Sequence, residues 1–76
     1  MEIKDFIKKF ERQFDEVEKG SMTAETKFRE LDEWSSLTAL SIIAMIDEEY
    51  DVAIKSDDIK VSNTVQDLFD IVKSKQ

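Results

Sequence analysis

The residues of this chain that could do chemistry are two adjacent serines, Ser35 and Ser36, and a large number of carboxylates and lysines. The sequence has no histidine and no cysteine, so it lacks the commonest general base, the thiolate nucleophile and the best transition-metal ligands. A serine nucleophile needs an adjacent base, and no lysine is marked out by its position for that role. We therefore expect that the protein is not an enzyme.

The carboxylates are most concentrated at two places, 47–51 and Asp57-Asp58. No pair is singled out by spacing for acid–base work. The segments also lack the alternating aspartates and the turn glycine of a calcium loop. A solvated acidic face is the simplest interpretation.

The composition limits the class of protein. A chain of 76 residues is one small domain, which we place at 1–76, and it buries only about 60% of its unfolded surface. It has 18 acidic and 11 basic residues, a net charge of −7. This balance argues against nucleic acid and anionic membranes as partners and favours proteins with basic docking surfaces, although acidity can also serve solubility alone.

No apolar run is long enough to span a bilayer, and the N-terminus lacks a signal-peptide core. We expect a cytoplasmic monomer.

The apolar pattern predicts an all-α fold. Apolar residues at steps of three and four predict a first helix over 2–18 with Gly20 as its C-cap: Ile3, Phe6, Ile7, Phe10, Phe14 and Val17. Residues 19–35 show no sustained period and predict a long loop, pinned to the core by Phe28, Leu31 and Trp34. A second helix is predicted over 36–50 and a short third helix at Ser56–Ile59, with Ser56 as its cap. A fourth is predicted over 64–74 behind a capping box. The predicted fold is a small four-helix bundle.

The predicted second helix carries more apolar surface than one core face requires. On a helical wheel with Ser36 at 0° and 100° per residue, a core face falls between about 240° and 340°. Leu40 lies on the flank of this face, whose members are Ala39, Ile42, Ile43, Ile46 and Tyr50. Leu37, Ala44 and Met45 lie outside this face, beside Ser41 and Glu48. These residues predict either a second packed side or an exposed docking face. On the docking interpretation, Met45→Glu would slow transfer by partners and leave unfolding nearly unchanged.

The sequence Trp34-Ser35-Ser36-Leu37, followed by an apolar helix that ends Ile46-Asp47-Glu48-Glu49-Tyr50-Asp51, resembles the acyl carrier proteins. Their signature is Asp-Ser-Leu at the start of the second helix, which closes with acidic residues, an aromatic residue and an aspartate. The segments 26–31, 56–59 and 63–68 are also similar to the corresponding parts of that family, so the resemblance covers essentially the whole chain.

The resemblance implies that Ser36 receives covalent 4′-phosphopantetheine from coenzyme A through a Mg²⁺-dependent phosphopantetheinyl transferase. The thiol of this arm would carry acyl groups as thioesters for acyl-processing enzymes. A phosphodiester there would meet the free N–H groups at a helix N-terminus. The resemblance also implies an acyl-chain pocket between the helices, for which the candidate lining, expected to be core when no acyl chain is present, is Leu40, Ile43, Ile46, Ile54, Ile59 and Leu68.

Three positions depart from the family pattern. The aspartate before the modified serine is Ser35, and two usually acidic positions of the second helix are Thr38 and Ser41. We choose Ser36 as the modified residue because Leu37 follows it, which leaves Ser35 as the cap; both serines could instead be caps only. Recognition by partners could shift to Asp32 and Glu33, or to the end of the second helix. The candidate partner-binding residues are Ser35, Leu37, Ser41, Met45, Glu48 and Asp51.

Three functions are compatible with these observations. The first is a carrier in fatty acid biosynthesis. The second is a carrier in a specialised pathway, for polyketide, aryl polyene or D-alanyl transfer; Trp34 resembles the Trp-Asp-Ser-Leu version of the signature that occurs in D-alanine carriers. The third is an unmodified helical interaction module.

Overall fold

The computed structural model describes residues 2–76, which form four α-helices and one 3-10 turn. The helices are α1 (Ile3–Glu11), α2 (Ser36–Tyr50), α3 (Ser56–Lys60) and α4 (Val65–Lys75), and the 3-10 turn Phe28–Glu30 lies in the loop before α2. Helix α1 packs against α2 and α4, and α3 packs against the same two helices. The predicted small four-helix bundle with a short third helix is confirmed.

Helix α1 is shorter than predicted, because it ends at Glu11 and not near residue 18. The backbone N–H groups of Gln13 and Phe14 donate to the carbonyls three residues earlier, which tightens the last turn. The Glu11 carboxylate then accepts hydrogen bonds from the N–H groups of Gly20 (2.8 Å) and Met22 (3.0 Å). The chain therefore folds back over the end of the helix, and an uninterrupted helix to residue 18 could not make these bonds.

Gly20 is consequently not the C-cap of α1. It lies in the loop with φ +85°, a left-handed conformation that glycine adopts without the steric cost of a Cβ. The cap residue of α1 is Arg12, in an ordinary right-handed conformation.

The loop before α2 runs from residue 12 to residue 35 and is held by buried side chains and by backbone hydrogen bonds to α4. Phe28 is fully buried, and Leu31 and Trp34 pack against the core, as predicted. The carbonyls of Ala24 and Thr26 accept from the N–H groups of Gln66 (2.9 Å) and Val65 (3.1 Å). These amide groups lie in the first turn of α4 and have no acceptor within the helix. The loop carbonyls supply the missing acceptors and so stabilise the start of α4.

Helix α2 has the predicted bounds, but its buried face is rotated. Its buried residues are Thr38, Ile42, Met45 and Ile46, which lie between about 180° and 280° at 100° per residue. Leu40 is 62% exposed, although it was expected in the core, whereas Met45 is 6% exposed. The expectation that Met45 lies on an outer face is wrong. The loop adds Phe14, Met22 and Phe28 to the core cluster that includes Met45, so α2 is packed on a side that its own pattern does not reveal.

The C-terminal end of α2 is fastened to α1. The ring centroids of Phe6 and Tyr50 are 5.8 Å apart, and the Lys9 ammonium lies 4.8 Å from the Tyr50 ring centroid. Lys9 also pairs with Glu49 at 3.4 Å. Burial raises the pKa of Tyr50. Asp51 ends the helix in the left-handed conformation, with φ 56°, which aspartate tolerates better than most residues.

Helices α3 and α4 begin with side-chain caps. The cap position of α3 is Lys55 and not Ser56, and the Asp58 carboxylate accepts from the Lys55 N–H at 3.0 Å. Thr64 and Asp67 form the capping box that the sequence predicts for α4. Hydrogen bonds from the N–H groups of Asn63 and Thr64 hold the pKa of Asp67 below its usual value.

None of the helices formed by residues 2–76 has both the length and the apolar character that crossing a bilayer requires.

The burial of Met45 reverses the expected effect of a charge at that position. We expect Met45→Glu to lower the free energy of unfolding by about 3 kcal/mol or more, because it places an unpaired carboxylate in a packed core. Ser41→Glu puts the same side chain on the exposed side of α2. This variant should change the free energy of unfolding by about 0.5 kcal/mol or less. Urea denaturation of both variants measures the difference. Equal stability of the two variants would show that position 45 faces solvent.

Candidate functional site

The start of α2 is organised by Ser35, which is its N-cap. The Ser35 hydroxyl accepts a hydrogen bond from the Thr38 N–H at 3.3 Å, and Ser35 Oγ lies 3.2 Å from Thr38 Oγ1. The Thr38 hydroxyl donates to the Glu33 carbonyl at 3.1 Å. This chain of hydrogen bonds assigns the capping role to Ser35 and fixes the residue that follows it in the first helical turn.

Ser36 is therefore the residue of the pair whose side chain makes no hydrogen bond within residues 2–76. It is exposed at the first position of α2. The backbone N–H groups of Ser36 and Leu37 likewise have no acceptor among those residues. A phosphate ester on this hydroxyl would lie near free N–H donors and the positive end of the helix dipole. The geometry of the site thus fits a covalent phosphodiester.

A cleft of about 540 Å³ begins at the two serines and runs between α2 and α3. Its walls are formed by ten residues from three parts of the chain: Arg29 and Trp34 in the loop, Ser35, Ser36, Ala39, Leu40 and Ile43 at the start of α2, and Ser56, Ile59 and Lys60 in α3. Most of its exposed area is apolar. A flexible arm on Ser36 could place an apolar group in this cleft.

Three of the six predicted acyl-pocket residues lie at this cleft, namely Leu40, Ile43 and Ile59. The other three, Ile46, Ile54 and Leu68, are buried in the core and do not line it. The burial of Ile46, Ile54 and Leu68 is the state expected without an acyl chain. Leu40, which was expected in the core as well, is exposed, because the rotation of α2 turns it outward into the cleft.

Sequence reasoning missed five of the lining residues: Arg29, Trp34, Ala39, Ser56 and Lys60. Proximity to Ser36 along the chain could have suggested Trp34 and Ala39. Arg29 and Lys60 give no such signal, because only the packing of the loop and α3 against α2 brings them to the cleft.

Trp34 is held at the mouth of the cleft by aromatic contacts. Its ring centroid lies 5.1 Å from that of Phe28, in an edge-to-face arrangement, and 6.3 Å from that of Phe14. Both phenylalanines are buried. The site is thus built on side chains of the core.

The structure divides the predicted partner-binding residues into three groups. Leu37, Ser41 and Glu48 are exposed and, with Ala44, form one stripe along α2 at steps of three and four, here called the exposed stripe. Ser35 and Asp51 are exposed at the two ends of the helix, where each also ends or caps it. Met45 is buried and does not belong to this surface.

Glu33, before α2, and Thr38, in its first turn, are both engaged in structural contacts. The Glu33 carboxylate accepts from the backbone N–H groups of Asp15 and of Glu16 (2.8 Å to the latter), so it holds the loop. Thr38 is buried, and its hydroxyl is used at the cap. Of the two positions that depart from the acidic pattern within α2, only Ser41 faces solvent.

A second cleft, of about 480 Å³, lies beside the end of α1 between Lys8, Arg12 and Lys19. The Glu11 carboxylate at its wall is already bound to the Gly20 and Met22 amides. Neither serine of the pair lines it.

The family model for the phosphopantetheine attachment site matches residues 7–72. The chain belongs to this family, whose members attach 4′-phosphopantetheine covalently and act as carriers. Carrier domains of this kind interact with phosphopantetheinyl transferases and acyl-processing enzymes. The comparisons with curated proteins and with solved structures each found no match.

Proposed function

We propose that the chain carries acyl groups as thioesters on a 4′-phosphopantetheine arm attached to Ser36. The observation that carries this proposal is the exposed hydroxyl of Ser36, next to a serine whose own hydroxyl is engaged in the helix cap. When bound, the arm supplies a thiol that forms thioesters. The protein supplies the attachment point, the cleft and the surface that partner enzymes contact.

We propose fatty acid biosynthesis as the pathway, because the cleft walls suit an alkyl chain. Leu40, Ile43 and Ile59 present apolar surface next to Ser36, and each CH₂ removed from water contributes up to about 0.8 kcal/mol. The cytoplasmic location and the monomeric state stay predictions from the sequence.

The attachment site is tested by loading the protein with coenzyme A, Mg²⁺ and a broad-specificity phosphopantetheinyl transferase. We expect the intact mass of the wild type and of Ser35→Ala to increase by one phosphopantetheinyl group, and that of Ser36→Ala to stay unchanged. Ser35→Ala should lower stability by about 1 kcal/mol, since it removes the N-cap, so its loading is measured well below its unfolding temperature.

An unmodified wild-type mass would contradict the carrier function. A mass increase that persists in Ser36→Ala and is lost in Ser35→Ala would move the attachment to Ser35.

We propose the exposed stripe as the surface that partners contact. Leu37 is 76% exposed, and Glu48 adds a negative charge on the same side of α2. An exposed apolar residue with a negative charge on the same side of the helix suits a partner that has a basic docking surface.

Charge reversal at one end of this stripe tests the docking surface. Glu48→Lys should slow loading by the transferase by about threefold or more at low salt, because it repels a basic partner. Glu25→Lys makes the same change at an exposed loop position outside α2 and should load at nearly the wild-type rate. Equal slowing by both variants would indicate an effect of net charge and would remove the exposed stripe as the docking surface.

The acyl-binding role of the cleft is tested by stability measurements on the loaded protein. With butyryl, hexanoyl and octanoyl thioesters, we expect the free energy of unfolding to rise with chain length, by at most about 0.8 kcal/mol per CH₂. Leu40→Ser should reduce this dependence because Leu40 lines the cleft. Leu37→Ser, at the more exposed position outside the cleft, should preserve it. Stability independent of chain length in the wild type would show that the cleft does not bind the acyl chain.

A further inference from the structure

The cleft beside Ser36 differs in charge from the rest of the molecule. The chain has a net charge of −7, yet the residues that line the cleft include two cations, Arg29 and Lys60, and no carboxylate. The apolar part of the cleft suits an acyl chain, but it does not account for two cations at its wall.

Arg29 is held in place by residues that follow α3. Its Nε donates to the Ser62 carbonyl at 3.0 Å, and Nη2 donates to Asn63 Oδ1 at 3.1 Å. Ser62 is fully buried, so the guanidinium is tied to a fixed part of the fold. A guanidinium has five N–H donors, and three of them have no partner among residues 2–76. A positioned guanidinium with unused donors is well suited to bind a phosphate.

Two carboxylates close to these cations along the chain are bound elsewhere, and Glu30 and Asp32 form no ion pair with them. Glu33 accepts from the amides of Asp15 and Glu16, and Asp58 accepts from the amide of Lys55. Within residues 2–76 every ion pair involves Lys9, so neither Arg29 nor Lys60 has an anionic partner there. The two cations at the cleft are therefore available to an anion that the chain itself does not provide.

We propose that Arg29 and Lys60 bind the phosphodiester of the arm, and so hold the first part of the arm against the cleft between α2 and α3. This inference depends on the proposed attachment to Ser36. The phosphodiester is the one charge that the arm must place next to Ser36, since it is bonded to that hydroxyl. Binding it at the cleft wall directs the arm toward Leu40 and Ile59, and away from bulk water.

The test compares apo and loaded forms of the wild type, Arg29→Gln, Lys60→Gln and the double variant. We expect loading to raise the unfolding temperature of the wild type by about 4 °C at low salt, and this increase should diminish as salt screens the charges. The double variant should lose most of the increase. Its ³¹P chemical shift should move toward that of the loaded protein unfolded in urea, in which the same phosphodiester is exposed to solvent.

Arg29→Gln also breaks the hydrogen bonds to Ser62 and Asn63, which lowers the stability of the apo and the loaded form alike. The difference in unfolding temperature between the two forms of one variant is therefore free of this loss. Lys60→Gln breaks no hydrogen bond and keeps the test valid if Arg29→Gln fails to fold. Lys4→Gln removes an exposed lysine of α1 and should behave like the wild type.

Intact mass separates the two proposals. If all variants take up the arm and show the same increase in unfolding temperature and the same ³¹P shift, the anion site is refuted while the carrier function stands. If the wild type takes up no arm, the carrier function fails and the anion site fails with it.

Discussion

The aromatic side chains form one connected network, and the rest of the structure depends on it. All five phenylalanines, the tryptophan and the tyrosine are joined by ring contacts between 5.1 and 6.3 Å. Phe6 connects α1 to α4 and to the end of α2, and Phe10 continues to Phe14 and Phe28 in the loop. Aromatic pairs of this geometry stabilise the fold by more than the burial of their apolar area alone. A chain without disulfides thereby holds a 24-residue irregular segment, 12–35, against three helices.

This network also positions the proposed attachment site. Trp34 is packed against Phe14 and Phe28, so the residue directly before the serine pair is fixed by the core. Ser35 then caps α2 through Thr38, and Ser36 is left exposed. An attachment point needs a rigid base and a free hydroxyl. Ser35 provides the rigid base because its hydroxyl caps the helix, and Ser36 provides the free hydroxyl because its side chain stays unbonded.

Helix α2 carries several surfaces at once. One side is buried against the bundle through Ile42, Met45 and Ile46. Leu40 and Ile43 line the cleft, and the exposed stripe lies on the remaining side. A helix with apolar residues in all directions would ordinarily be fully buried. Here the loop and α3 cover part of it, and the uncovered apolar part forms the cleft and the exposed stripe that we propose for cargo and for partners.

The sequence by itself determined the all-helical class, the bounds of α2, the capping box of α4 and Ser35 as the cap of α2, because these depend on local periodicity and on side chains one turn apart. The early end of α1 was not predictable, since it depends on the Glu11 carboxylate meeting amides 9 and 11 residues later. The burial of Met45 and the exposure of Leu40 likewise depend on the loop, whose apolar residues follow no period. The cleft, with Arg29 and Lys60 at its wall, was decided only by tertiary structure. It joins residues 31 positions apart, which no local pattern relates.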